Sequence, residues 1–311
     1  MSHAFFDKQF IPLSEAKIGI MTHALHYGTA CFGGIRGNWN DEQERIYLFR
    51  LRDHFDRLRK SCHILKLNLP YSVDELCHIA VQLVEMSGYR EDIYLRPLAY
   101  KSSQELGVRL HQLEDGFFMF LIPWGPYLNI EEGTKCCVSS WRRIDDTMIP
   151  PRAKICGLYV NSAFARTDAW ENGFDEAIML SQDGHVSEGS GENIFIISGG
   201  KLVTPPSYDN ILMGITRNTV IELAKNELGM ETVERPIDRS ELYIAEECFF
   251  TGTAAHVTPI IEVDHRKIGD GKIGEVTKHL QQIYLDVIRG KNPAYLEWCT
   301  SAYQKVGQSA Q

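Results

Sequence analysis

Apolar residues recur along this chain with two periods, and the points where one gives way to the other mark out its elements. Within residues 51–65, LRDHFDRLRKSCHIL, the positions Leu51, Phe55, Leu58, Cys62 and Leu65 fall three or four apart and form one stripe of a helix, with Arg57 beside it. A second helix is predicted to open at Ser72 and close at Gly88. Glu75 lies three residues past the serine, the spacing at which a hydroxyl and a carboxylate satisfy each other's backbone N–H groups, and a glycine tolerates the left-handed turn that ends a helix. Extended segments are predicted at 18–20, 46–49, 92–100 (DIYLRPLAY) and 116–124 (GFFMFLIPW). Two prolines and two glycines then crowd PWGPYLNIEEG, which reads as a connection between domains.

A second α/β half begins at Lys135. Its pattern predicts a strand to Trp141, a loop at Pro150 and Pro151, and a helix from about Leu158 to Glu171 ended by Gly173. EAIMLS and ENIFIIS are expected to be paired strands, TRNTVIELAKNELG a helix stopped by Gly229, and 275–289 a last amphipathic helix. The expected division is a smaller N-terminal α/β domain over 1–123, an interdomain loop over 124–134 and a larger domain over 135–311.

Composition narrows the function classes. The 311 residues carry 44% hydrophobic content and a formal charge of −9, without a run of Lys and Arg long enough to form a stripe. That lacks the footprint which nucleic-acid backbones or anionic lipids require. The longest strongly apolar stretch, 117–122, is far short of the ~20 residues that span a bilayer, and the N-terminus MSHAFFDKQF has neither a basic start nor an apolar core, so a soluble cytoplasmic protein is expected. Eight cysteines without a C-x-x-C pair read as reduced and mostly buried, with Cys136 and Cys137 on opposite faces of a strand.

Three generic motifs fail on context. Gly33, Gly34 and Gly37 imitate a phosphate loop, but a turn and strand follow where a dinucleotide fingerprint must open a helix. In Glu188-Gly189-Ser190-Gly191 the acid occupies the first glycine of a nucleophile elbow. His23 and His26 have no acidic or cysteine partner nearby, and no metal is expected there. A different set carries more chemistry. Lys154 lies in AKICGLY on a loop of small residues, where partial desolvation frees an amine as a nucleophile. GITR opens a helix, so Ile215 and Thr216 offer N–H groups and the positive dipole end to an anion. TGTAA, at 251–255, follows a strand with small residues and hydroxyls, and Glu188 is an acid able to approach a ring nitrogen.

The segments HALHYGTACFGGIRG, DHFDRL, YLRPL, PWGPYL, AKICGLY, SEGSGENIF, GITR and GTAAHVTP, in this order from about Asp7 to Leu280, resemble the branched-chain aminotransferases of the fold-type IV pyridoxal-phosphate (PLP) enzymes. The resemblance implies a two-domain α/β protein of α+β type, with mixed and antiparallel sheets in a larger PLP-binding C-terminal domain. It implies that Lys154 carries PLP as a Schiff base and is the catalytic residue. Arg57 and the GITR and GTAA segments would hold the phosphate, Tyr159 the phenolic oxygen and Glu188 the ring nitrogen, with Gly191, Leu212, Gly214, Ile215, Thr216, Gly252 and Thr253 completing the cofactor site. For substrate it implies Tyr94 and Arg96, which share a strand face, with Tyr27 and Tyr127 at the distal carboxylate of glutamate and Phe32, Trp124 and Tyr127 as an apolar wall. Backbone N–H groups of Thr253, Ala254 and Ala255 would take the α-carboxylate, and Leu106, Gly107 and Val108 would reach the partner subunit's site, so a homodimer or larger homo-oligomer is implied. The expected reaction is transamination of leucine, isoleucine and valine with 2-oxoglutarate. D-amino-acid aminotransferases, (R)-amine transaminases and aminodeoxychorismate lyases share the same core motifs, but the Y-x-R pair favours the branched-chain enzymes. Gly33 and His256 stand where that family commonly has glutamate, which implies wider acceptance, towards aromatic substrates or primary amines.

Overall fold

A computed structural model of the protein describes residues 2–125, 128 and 130–303. The backbone divides into two units, one of residues 1–125 and 286–311 and the other of residues 126–285. The first opens with a hairpin of β1 (His3–Phe6) and β2 (Gln9–Pro12). Asp7 and Lys8 at its turn both adopt positive φ, as the tightest hairpins require. Then follow α1 (His23–Tyr27), β3 (Ala30–Phe32), β4 (Ile35–Asn40), β5 (Arg45–Phe49), α2 (Leu51–Ile64), α3 (Val73–Ser87), β6 (Ile93–Lys101) and β7 (Asp115–Pro123).

The two helices form for the reasons their patterns suggest. Leu51, Phe55, Leu58 and Cys62 are buried along α2, and Leu76, Ile79, Ala80, Leu83 and Val84 along α3. At the start of α3 the Ser72 hydroxyl accepts from Glu75 N at 3.2 Å while the Glu75 carboxylate accepts from Ser72 N at 2.7 Å. Gly88 ends the helix at φ 66°. The strand expected at 18–20 is not formed: Ile18 and Ile20 are 45% and 83% exposed on irregular backbone. Two apolar residues in alternation do not make a strand without an edge to pair with, and β1 and β2 occupy that end of the sheet instead.

The second unit runs β8 (Thr134–Val138), α4 (Tyr159–Glu171), β9 (Glu176–Leu180), β10 (Val186–Gly189), β11 (Asn193–Ser198), β12 (Lys201–Thr204), α5 (Ile215–Leu228), β13 (Thr232–Glu234), β14 (Glu247–Gly252), β15 (His256–Val263), β16 (Arg266–Lys267) and α6 (Glu275–Ile288). Its sheet has the order β10-β9-β8-β15-β14-β11-β12-β13, with β16 on β15. The expected pairing of EAIMLS with ENIFIIS is therefore corrected. β9 pairs with β8 and β10, whereas β11 pairs with β12 and β14. Each strand finds its neighbour through a short hairpin, and the β14–β15 hairpin together with β8 fills the space between them. Phe195 and Phe249 stack at 5.2 Å between β11 and β14, and α5 buries Val220, Leu223 and Ala224.

The chain then returns to the first unit, where β17 (Cys299–Ala302) pairs antiparallel with β5. The first sheet has the order β17-β5-β4-β6-β7-β1-β2, with β3 on β6. Assigning 135–311 to one domain is corrected to that extent: segment 286–311 groups with the N-terminal residues because β17 completes their sheet edge. Arg50 stacks 3.9 Å from the Trp298 ring centre, and the Tyr303 hydroxyl donates to the carbonyls of Val84 and Tyr89 at 2.9 Å.

Candidate active site

In the second unit the chain positions Lys154 by burying its neighbours. Ala153 and Ile155 are almost fully inaccessible, and the Ala153 N–H bonds to the Pro150 carbonyl at 3.0 Å, so the half-buried lysine between them springs from a fixed stretch of backbone. A 3-10 turn, Cys156–Leu158, leads directly into α4, whose first residue is Tyr159. The Lys154 ammonium donates to the Tyr159 hydroxyl at 2.5 Å. An amine and a phenol in that contact hold each other in place and can exchange a proton.

Glu188 is placed by an irregularity in β10. The register against β9 shifts between Val186 and Glu188, a bulge that re-aims the following side chain. The carboxylate is 5% exposed and fully engaged. Arg143 Nη2 lies 2.6 Å from one oxygen, while Asn193 Nδ2 at 3.1 Å and Leu212 N at 3.0 Å donate to the other. Burial pushes the carboxyl above its ordinary range, against the opposing pull of Arg143, the Leu212 N–H, Lys154 and Arg217. A cationic ring nitrogen arriving at such a group regains part of the charge stabilisation that desolvation removed.

The loop after Leu212 delivers an open helix start. Gly214 caps α5 without a side-chain hydrogen bond, which leaves the first N–H groups free of a side-chain acceptor. Glycine is required there: a Cβ on residue 214 would lie 2.1 Å from Asn193 Oδ1. Thr216 is buried, with its hydroxyl 3.5 Å from that of Tyr284. Arg217, the last residue of GITR, turns into the protein, where it donates to the Pro205 carbonyl at 3.0 Å and to Glu234 at 2.6 Å. It serves the frame, its charge paired with the Glu234 carboxylate. Gly252 ends β14, and Thr253, Ala254 and Ala255 form the turn into β15, held by a 2.6 Å bond from the Thr258 hydroxyl to the Ala255 carbonyl. Gly191 has open space where a Cβ would stand. An amine that can form a Schiff base, a buried acid and a free helix N-terminus are the donor set that a phosphorylated aldehyde with a basic ring nitrogen needs, so the residues fit pyridoxal phosphate.

The first unit brings together four of the residues expected to bind substrate. On β6, Arg96 Nη2 donates to the Tyr94 hydroxyl at 3.1 Å, and its guanidinium lies 4.6 Å from the Phe32 ring centre. The Trp124 ring is 5.3 Å from that of Tyr94, and its carbonyl accepts from buried Arg36 at 2.6 Å. A Cβ on Gly34 would stand 2.0 Å from the Tyr94 hydroxyl, which makes the second glycine of Phe32-Gly33-Gly34 a spatial requirement. Tyr27 belongs to a different contact set: its hydroxyl accepts from Gly107 N at 3.0 Å, beside Val108. Arg57 is half-buried on α2 and its carbonyl accepts from the Ser61 hydroxyl. Tyr127 lies outside the described residues. His23 and His26 each place Nε2 2.8 Å from a backbone carbonyl, of Gly107 and Ile20 respectively.

Sequence reasoning missed Arg143, Asn193 and Glu192. Arg143 sits in WRRID, where nothing distinguishes it from a solvated arginine, and only the fold brings it to Glu188. Asn193 lies inside SEGSGENIF, and a buried strand position for an amide was a signal that it has polar partners. Glu192 accepts from Gly191 N at 3.0 Å, and burial beside Glu176 pushes its carboxyl up to about 8.

Residues 32–263 match the family model described as amino-transferase class IV. The chain is 50% identical, over 98% of both sequences, to the probable branched-chain-amino-acid aminotransferase of Aquifex aeolicus. Among solved structures, it matches the branched-chain aminotransferase from Thermoproteus uzoniensis with norvaline at a TM-score of 0.93 and 43% identity, covering 97% of this chain and 100% of that one. It also matches the branched-chain amino acid aminotransferase from Thermobaculum terrenum in its PLP-bound holo form, at a TM-score of 0.93 and 36% identity over 97% and 98% of the two chains.

Proposed function

From the premise that the chain belongs to the amino-transferase class IV family, we propose that it works as a branched-chain-amino-acid aminotransferase. With pyridoxal phosphate it converts L-leucine, L-isoleucine and L-valine, together with 2-oxoglutarate, into branched 2-oxo acids and L-glutamate. The contact between Lys154 and Tyr159, in the same unit as a buried Glu188 on which Lys154 acts electrostatically, is the observation that supports the reading best.

Bound pyridoxal phosphate supplies an electron sink for the charge left at the substrate Cα. Lys154 would hold the cofactor through Nζ, and the same amine is the base that would move the proton at the substrate Cα. Tyr159 holds the phenolic oxygen and the position of that amine. Glu188 keeps a proton at the ring nitrogen, with Arg143, Asn193 and the Leu212 N–H fixing its orientation. Arg57 and the start of α5 at Gly214, Ile215 and Thr216 hold the phosphate, with Gly191, Gly252 and Thr253 around it. Thr253, Ala254 and Ala255 present N–H groups to the α-carboxylate, Tyr94, Arg96, Tyr27 and Tyr127 to a distal one, and Phe32, Trp124 and Tyr127 an apolar wall to a branched side chain. Val108 and its neighbours Leu106 and Gly107 complete the site of a partner subunit, so the working form is a homo-oligomer, a dimer at least. Eight cysteines without a disulfide suit a reducing cytoplasm.

An absorbance scan tests the reading. The purified protein is expected to be coloured, L-leucine to bleach the band and D-alanine to leave it. Lys154→Ala is expected to abolish the band, and its persistence in that variant would overturn the assignment of Lys154.

A further inference from the structure

Residues 105–109 form a small loop whose central peptide groups, at Gly107, are bonded to side chains of α1. Glu105 and Arg109 close its base with a 2.7 Å ion pair, and Gly107 at its centre has φ +136°, with the Arg109 guanidinium 2.7 Å from where a Cβ would stand. The Gly107 N–H donates to the Tyr27 hydroxyl, and the Gly107 carbonyl lies 2.8 Å from His23 Nε2. The loop's approach is fixed as well, since His23 N donates to the Ser103 carbonyl at 2.9 Å and Gln104 Nε2 to the Thr22 hydroxyl at 2.7 Å. Against this, the two flanking side chains are held outward: Leu106 is 55% exposed and Val108 90%.

We propose that His23 is a positioning residue for substrate recognition, holding the Gly107 carbonyl so that the Leu106 and Val108 tip stands at a fixed height above α1. The inference rests on the reading of this tip as part of a subunit-completing substrate site. Its chemistry is settled by the partners. A carbonyl only accepts, so Nε2 of His23 bears a hydrogen and donates it, while Nδ1 bonds with the Thr29 hydroxyl at 2.9 Å. The imidazole is fully buried and tilted against the Tyr27 ring at 4.6 Å, so it has one orientation available. Thr29, His23 and Gly107 thus form a relay of two hydrogen bonds that ends in the loop backbone. Because the tip does not touch the reacting atoms, loosening it weakens ground state and transition state alike, which raises KM and spares kcat.

The test uses the cofactor-loaded protein and compares wild type with His23→Ala, His23→Gln and Thr29→Val. Two quantities are read: amide exchange in the peptide spanning 103–110, and KM and kcat for L-leucine. Loss of the buried bond in His23→Ala is expected to speed exchange and raise KM about tenfold, with kcat within about twofold. Gln at 23, which keeps an N–H for the carbonyl, is expected to restore most of both, and Thr29→Val to fall between. Faster exchange with unchanged KM would overturn the proposal, as would a loss of kcat in proportion to cofactor occupancy in His23→Gln as well as His23→Ala. Should His23→Ala not fold, Thr29→Val and His23→Gln decide by the same two readings. If L-leucine does not bleach the wild type, the functional reading fails on its own, while the exchange comparison still reports on the clamp.

Discussion

Replacing Glu188 by glutamine changes one atom in the most constrained position of the second unit. The carboxylate receives one charged donor, Arg143, on one oxygen and two neutral donors, Asn193 Nδ2 and Leu212 N, on the other. A glutamine oxygen can serve one of these sides, and its NH2 must then oppose the other. Facing Asn193 and Leu212 with the oxygen costs less, which sets the amide against the Arg143 guanidinium and leaves that cation without its counter-charge. Breaking a buried pair by removing one partner costs about 3–5 kcal/mol. The lower end applies because Arg143 keeps weaker contacts of 3.4 Å with the Asn210 carbonyl and the Ser162 hydroxyl. A neutral amide also holds no proton at a ring nitrogen. The pair's cost falls on the fold; a ring-nitrogen role worth about 3 kcal/mol in the transition state slows the first half-reaction about 10²-fold. Single-turnover bleaching by L-leucine, followed at saturating substrate, measures this directly. A Glu188→Gln rate within about threefold of wild type would refute the ring-nitrogen role, and an unchanged urea midpoint would refute the value given to the Arg143 pair.

Three further outcomes follow from particular contacts. Gly214→Ala places a Cβ against Asn193 Oδ1, and at about 1–3 kcal/mol for such overpacking it is expected to weaken pyridoxal-phosphate binding about tenfold or more, measured by titrating the apo protein. Gly34→Ala displaces the Tyr94 hydroxyl from Arg96 and is expected to raise KM for 2-oxoglutarate while leaving the cofactor band unchanged; an unaltered KM would detach that pair from substrate. Glu192 is held up to about 8 from an ordinary 4.5, so between these values the native state binds the extra proton and stability falls as pH rises, by at most about 1.4 kcal/mol per pH unit. Glu192→Gln, which keeps an acceptor for Gly191 N, is expected to flatten that decline, so a urea midpoint that still drops in parallel with wild type would be the contrary result.

The parts of this protein that could be read from its sequence are those whose cause is local. The stripe of α2, the Ser72 and Glu75 box of α3, the glycine stops at 88 and 229 and the shared face of Tyr94 and Arg96 all depend on residues within a turn or two of each other. What failed depended on distant chain. EAIMLS and ENIFIIS look alike as strands, but their non-hairpin neighbours are β8 and β14, which arrive from opposite ends of the second unit. The C-terminal segment has no pattern that says it completes the edge of β5. The same division runs through the site. Ordered motifs pointed to Lys154, Tyr159, Glu188 and the start of α5, whereas Arg143 came to Glu188 only through the packing of two otherwise unremarked loops.

That packing explains why the acid and the helix start belong to one mechanical unit. Ser187 donates to the Asp209 carbonyl at 2.6 Å, Glu188 accepts from Leu212 N, and Asn193 donates to the Leu212 carbonyl at 2.8 Å. Three successive ties therefore bind β10 and the start of β11 to the segment 209–214 that ends in the cap of α5. Asn193 is the shared element, because its Nδ2 reaches both Glu188 and Leu212 while its Oδ1 faces Gly214. A shift of the helix start must then move the carboxylate, because the side chains of Ser187, Glu188 and Asn193 are each bonded to the backbone of the segment that leads into it. Asn193→Ala, which removes two hydrogen bonds and opens space beside Gly214, is expected to weaken cofactor binding and slow the half-reaction together. Asn193→Asp, by contrast, places a second carboxylate beside Glu188 and is expected to damage both more severely. If the alanine variant altered only one of the two properties, the acid and the helix start would be independent and the coupling argued from these ties would be wrong.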